Sequence, residues 1–331
     1  MPEFKSVFAA ELAEFLSLKQ KTVVPGTYRL YCNLLANFDQ YLADCEVAAK
    51  TVDEQLVADW IAPFYETVSV KTVSSKVSHL RKFLEYLRFC GYPVYVPEGL
   101  PKYTDNYIAY LFSDSEVGKI FSAADKLESS DNKPTSRYYR YTFPMLLRML
   151  FGCGLRLGET LSMKVVDISF DSGVLLMRNT KNSKQRIVPM DDTLTAILQK
   201  YCIAMGIIGD PDAWLFPTDK PGQHLSHATA GSLFRKILVA TKIYVAPEPK
   251  TRGQCLHCLR HLFTVKSFAQ AERNGRPTND SVPYLSVYLG HFDMDGTERY
   301  LKFGGDMFPE YTEQFETYAS GVFSEGLYEE E

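Results

Sequence analysis

His257 and Arg260 lie three residues apart in the run Cys255-Leu256-His257-Cys258-Leu259-Arg260-His261. On a helix that spacing turns both to one face. Leu256, Leu259, Leu262 and Phe263 would bury the helix and leave His257 and Arg260 on an exposed edge. Arg presents a planar, permanently charged donor fork, and His can move a proton near neutral pH. The pair therefore suits an anionic, proton-exchanging substrate such as a phosphate. The competing reading is a surface helix with incidental charge. Zinc is disfavoured, because structural zinc usually takes one ligand pair from a turn and a second from elsewhere. Here Cys255, Cys258, His257 and His261 crowd one helix-like run, and no second pair exists.

Three further segments could contribute. Phe151-Gly152-Cys153-Gly154-Leu155-Arg156-Leu157-Gly158-Glu159 has the wrong glycine spacing for a dinucleotide fingerprint. It reads as a helix end, a turn around Gly154 that carries Arg156, and a new helix from about Leu157. The short β-like runs Val174-Leu175-Leu176-Met177 and Arg186-Ile187-Val188-Pro189 flank the polar turn Thr180-Lys181-Asn182-Ser183-Lys184, which predicts a hairpin. Leu289-Gly290-His291 precedes Tyr300 by nine residues, counted from His291. With 21 tyrosines in 331 residues that offset alone carries no weight, and only its context does.

Taken together these segments resemble the tyrosine recombinases, or phage-type integrases. That family has an Arg after a Gly-Leu turn with an acidic residue three later, here Arg156 and Glu159. It has a Lys on a hairpin before a Val-Pro pair, here Lys181, then a His-x-x-Arg-His helix, here His257 to His261. A Leu-Gly-His then precedes the nucleophilic Tyr, here His291 and Tyr300. Leu215-Phe216-Pro217 fits a lesser habit of the family. The order and spacing match, and the resemblance covers the whole chain.

The resemblance implies that Tyr300 attacks a DNA phosphate to give a 3′-phosphotyrosyl link and a free 5′-hydroxyl. It makes Arg156 and Arg260 the clamp on the non-bridging oxygens and Lys181 the general acid, with Lys184 as rival on the same turn. His257 would assist proton transfer, His291 would bind a phosphate oxygen, and Glu159 would orient the first Arg. Lys71, Lys76, Arg81, Lys184 and Arg186 are candidate DNA contacts. No metal and no cofactor are required. The partners implied are a double-stranded DNA recombination site, further copies of the chain as a tetramer on DNA, and accessory recombination proteins, with no membrane. The most direct role is integration, excision or transposition of a mobile element. Thr297 to Glu310 is closer to such elements than to chromosome-dimer resolvases. A type IB-like topoisomerase and a non-catalytic DNA-binding relic are the alternatives.

The elements that must position these residues are mainly helical. Phe8, Leu12, Phe15 and Leu16 form one apolar face, and Tyr28, Tyr31, Leu34, Leu35, Phe38, Tyr41 and Leu42 a stronger one. Leu56, Val57, Trp60 and Ile61 predict a short helix, and Val73, Val77, Leu80, Phe83, Leu84 and Leu87 another. Gly91-Tyr92-Pro93 ends this group. Pro97, Gly99 and Pro101 then mark an extended linker, and Ser113-Asp114-Ser115-Glu116 reads as a capping box opening the next domain. Helical patterns return at 194–201, 228–238, 257–270 and 282–289. The expected architecture is mainly α with a small β-sheet. It comprises a helical core-binding, DNA-binding domain at 1–92, a linker at 93–111 and a tyrosine-recombinase catalytic domain at 112–331. Phe308, Tyr311, Phe315, Tyr318, Val322 and Phe323 form a last helical face. By the same resemblance it is an assembly helix that docks on an adjacent protomer, with folding back on its own domain as the alternative.

The composition is compatible with this. Apolar content is 46% and charge 23%, ordinary for a globular protein. Seven irregularly spaced cysteines fit reduced core thiols. The N-terminus lacks the pattern of a signal peptide, and no run approaches a membrane span of roughly 18 apolar residues. The expected address is cytoplasmic. The net charge of -4 is atypical for a DNA-binding enzyme. Eight acidic residues and no Lys or Arg fall between Gly305 and Glu331, which leaves a body of net +4 before them.

Overall fold

In the computed structural model, residues 2–104, 107–127, 134–178 and 185–290 are described. Lys181, Lys184, His291, Tyr300 and the terminal apolar face 308–323 therefore lie outside the described residues. The described chain forms eleven α-helices and one three-stranded antiparallel sheet. No described helix is long and apolar enough to cross a membrane. Contacts divide the chain into two units, one of Met1–Tyr107 with Glu248–Arg252, the other from Ile108 to Pro247 and from Gly253 on.

The first unit carries α1 (Ala9–Thr22), α2 (Pro25–Asp44), α3 (Glu54–Thr67) and α4 (Val70–Phe89). Pro25 enters α2 at its first turn, where its missing N–H costs nothing. Asp53 and Ser69 cap α3 and α4 by accepting from the Leu56 and Thr72 amides. The four apolar faces meet in one core of Phe8, Leu12, Phe15, Leu35, Phe38, Trp60, Leu80, Phe83 and Leu84. α3 runs longer than its four apolar residues suggested, continuing through Pro63 to Thr67. The stretch after Pro93 is not a free linker at its start. Val94 bridges to Val52, and Val96 is buried in this core, so its alternating valines hold it there.

The second unit begins with extended chain that buries Ala109 and Phe112. The Ser113–Glu116 capping box then opens α5 (Asp114–Asp125). α6 (Pro134–Cys153) packs against α5, α8 (Asp192–Ala204) and α10 (His257–Arg273), with Phe143, Leu146, Leu147 and Leu150 in the core. The short α7 (Leu157–Leu161), α9 (His227–Ala240) and α11 (Thr278–Leu289) complete the helices. Strands β2 (Val174–Met177) and β3 (Arg186–Pro189) pair antiparallel with Leu175 opposite Val188, and a short β1 (Ile168–Ser169) joins the far edge of β2. The β2–β3 hairpin has the predicted bounds, whereas β1, two residues long, leaves no readable period. Leu215 and Phe216 are fully buried.

Candidate active site

Gly154 sets the first corner of the site. It follows α6 at φ +58°, and a Cβ built there would stand 2.3 Å from Phe263 Cδ1 on α10. Only glycine meets both conditions without displacement. The turn delivers Arg156 to the N-cap position of α7 in extended conformation. One helical turn on, Glu159 accepts from Arg156 Nη1 at 2.8 Å. The other arginine nitrogen, Nη2, donates to the Gly290 carbonyl at 2.8 Å.

Arg260 comes from the first turn of α10. It was expected on an exposed edge, but it is 1% exposed. Its Nη1 donates to the Gly154 carbonyl at 2.7 Å and its Nη2 to the Leu289 carbonyl at 2.9 Å. The face opposite the helix's leucines is covered by the Gly154 turn and the end of α11, so the local apolar pattern misjudged its exposure. His257 stands one turn earlier and is half-buried, its ring 4.7 Å edge-on from that of His261.

Arg186 was a candidate DNA contact. Its side chain instead points inward and is 9% exposed. Nη2 donates to Glu159 Oε2 at 2.7 Å and Nε to the Tyr288 carbonyl at 2.9 Å. Nη1 is buried and has no acceptor among the described residues. A signal for this was present in the hairpin. Side chains alternate along a strand, so Arg186 shares the inward face with Val188 while Ile187, 64% exposed, points out. A buried Arg demands a carboxylate or carbonyl partner.

The three guanidinium groups thus take three consecutive carbonyls at the end of α11: Arg186 at Tyr288, Arg260 at Leu289 and Arg156 at Gly290. These carbonyls carry the negative end of the helix dipole. Gly290 closes the helix at φ +64°, ψ +46°, and a Cβ there would come within 3.0 Å of Arg186 Nη1. Glu159 is the carboxylate that the described residues place within the group. Burial by itself would raise its pKa, but Arg186 and then Arg156 outweigh burial and hold it below the ordinary carboxylate value. Among the described residues, three guanidinium charges stand against one carboxylate, an excess of positive charge suited to an anion.

Lys184 lies outside the described residues, and the other candidate DNA contacts lie on α4 of the first unit. Lys71 is exposed. Lys76 lies over the Phe64 ring at 4.4 Å. Arg81 is bonded to Glu85 and to the Glu98 carbonyl, which leaves it less free than expected to meet a phosphate. Among the described residues no group of His, Cys, Asp or Glu is placed to hold a metal ion. Cys255 and Cys258 have their sulfurs 3.9 Å apart.

The sequence profile of the Phage integrase family matches residues 112–302, which is more than half of the chain. The tyrosine recombinase XerC of Oceanobacillus iheyensis is 26% identical over 300 residues, covering 87% of this chain and 88% of its own length. Among solved structures, the XerH site-specific recombinase bound to a palindromic difH substrate matches with a TM-score of 0.66 at 18% identity, over 92% of this chain and 84% of that one. The Tn1549 transposon integrase in complex with transposon right end DNA matches with a TM-score of 0.60 at 17% identity, over 94% and 98%. Both structures share the fold. This chain belongs to the phage integrase family, the tyrosine recombinases.

Proposed function

We propose that the protein cuts and rejoins duplex DNA at a specific site, with Tyr300 as nucleophile, and serves the integration, excision or transposition of a mobile element. The observation that carries this reading is the convergence of Arg156 and Arg260 on the carbonyls of Gly290 and Leu289, immediately before His291 in the chain, with Glu159 accepting from Arg156 beside them.

The chemistry follows from charge. A phosphodiester carries one negative charge, and in-line attack by the Tyr300 oxygen builds a second on the non-bridging oxygens. Arg156 and Arg260 neutralise that growing charge from fixed positions and need no reorganisation at the moment of reaction. As the Tyr300 O–P bond forms, the bond from phosphorus to the 5′-oxygen breaks. Lys181 gives its proton to that leaving oxygen, and His257 assists removal of the Tyr300 proton. His291 donates to a phosphate oxygen. The 3′-phosphotyrosyl ester preserves the bond energy, so a 5′-hydroxyl can reverse the step without ATP. The hairpin Lys184 is the alternative acid. Lys71 and Lys76 supply non-specific phosphate contacts. Residues 1–92 serve as core-binding domain, 93–111 as linker and 112–331 as catalytic domain. Recombination takes place in a tetramer held by the terminal face 308–323, in the cytoplasm, with accessory recombination proteins as further partners.

Duplex taken from the DNA flanking the gene, nicked so that cleavage cannot reverse, provides the test. Wild-type protein is expected to form a covalent adduct on a denaturing gel, and Tyr300→Phe to bind the same duplex and form none. An adduct that survives Tyr300→Phe rejects the nucleophile. Relaxation of plasmid lacking any such site would point to a topoisomerase instead.

A further inference from the structure

We propose that Arg186 is a positioning residue of the strand-cleavage reaction, and that it acts through Arg156. The inference rests on the recombinase reading above. Arg186 touches both supports of Arg156. Its Nη2 bonds Glu159 Oε2 at 2.7 Å, while Arg156 Nη1 uses the other oxygen at 2.8 Å. Its Nε bonds the Tyr288 carbonyl at 2.9 Å, two residues before the Gly290 carbonyl that receives Arg156 Nη2 at 2.8 Å. One guanidinium therefore fixes the carboxylate on one side of Arg156 and the helix end on the other.

The exposures show why Arg156 needs this. Its side chain is 26% exposed, so solvent offers it an alternative to Glu159. Glu159 is 5% exposed, and Arg186 9%. Without Arg186 the carboxylate would be buried against a single, partly hydrated cation. Burial would then press it toward the neutral acid, and Arg156 would lose the charge that orients it. The released Tyr288–Gly290 turn would loosen the second anchor. Arg186 also opens β3, so it ties the clamp to the hairpin strand that follows Lys181 in the chain.

The test uses the full chain with the nicked duplex. Arg186→Met is expected to bind that duplex normally and to cleave about 10²-fold more slowly, the scale for displacing a reacting group by roughly an ångström. The double variant Arg156→Ala/Arg186→Met is expected to cleave no more slowly than Arg156→Ala alone. A scissile methylphosphonate, which is uncharged and needs one cation less, is expected to remove the defect of Arg186→Met as it removes that of Arg156→Ala. Arg186→Lys keeps the charge without the fork and should fall between the two. It carries the same cycle if Arg186→Met does not fold. Losses that multiply in the double variant, or a defect that persists on the methylphosphonate, overturn the proposal, because Arg186 would then serve stability or another step. Wild-type protein that cleaves while Arg186→Met keeps pace overturns the proposal alone. Wild-type protein that forms no adduct overturns the recombinase reading, and the proposal falls with it.

Discussion

Replacing Glu159 by Gln tests the centre of the site, because it removes one charge and almost no volume. Glu159 is 5% exposed and accepts from Arg156 and Arg186 at 2.8 and 2.7 Å. Deleting one member of a buried, bonded ion pair costs about 3–5 kcal/mol. Two features reduce this. The Gln oxygen still serves one guanidinium, and Arg156, at 26% exposure, can regain water. Arg186 can do so much less at 9%, and it would face an amide N–H in place of an acceptor. The expected loss is therefore about 2–3 kcal/mol, equivalent to roughly 4–10 °C in Tm for a domain of this size class.

The pH dependence separates this mechanism from a general packing defect. The Glu159 pKa is lowered in the folded protein from its ordinary value of 4.5, so the carboxylate stabilises the fold fully above that value. That contribution disappears as the pH falls through the lower folded value. The gap between wild type and Glu159→Gln should stay constant from about pH 7 to about pH 5 and close below it. Thermal unfolding followed by far-UV circular dichroism measures both quantities. A Tm shift under about 1 °C at neutral pH, or a gap that persists unchanged to about pH 3, would refute the argument.

Other consequences are open to direct measurement. Arg156→Ala and Arg260→Ala should each slow cleavage by about 10²–10³ with little change in non-specific binding, and cleavage should continue in EDTA. Of the two, Arg260→Ala should also lower the unfolding free energy by about 2–4 kcal/mol, because it strands the buried Gly154 and Leu289 carbonyls. Equal stability in the two variants would contradict that burial. Gly154→Ala should yield poorly folded protein or a Tm lower by about 5 °C or more, since the new methyl meets Phe263 at a left-handed φ. A wild-type melting curve for Gly154→Ala would show that this corner yields. Truncation before Met307 should leave a soluble monomer that binds a half-site and fails to form synaptic complexes in native gels. Full complexes from the truncated chain would reject an assembly role for the tail, and insolubility would favour a tail folded on its own domain.

Much of this protein was legible in the sequence. The faces led by Phe8, Tyr28 and Val73 became α1, α2 and α4, and the Ser113–Glu116 signature became a capping box. The 174–177 and 186–189 runs became β2 and β3. These are local properties, since a period of 3.6 or 2 and a cap are written within a few residues. The family was legible too, in the order and spacing of Arg156, His257, Arg260, His291 and Tyr300, because a family's reaction constrains residue type and spacing together. What each charge touches was not. Arg156 meets Gly290 across 134 positions, Arg260 meets Gly154 across 106, and Arg186 meets Glu159 across 27. Periodicity tells which face of an element is apolar but not which distant segment covers its polar face. Arg260 was therefore read as exposed and Arg186 as a DNA contact, when the end of α11 takes both, with the Gly154 turn against Arg260 and Glu159 against Arg186. Only packing in three dimensions decided that three arginines share one helix end, because a buried guanidinium must find acceptors and the nearest ones lie far away in the chain.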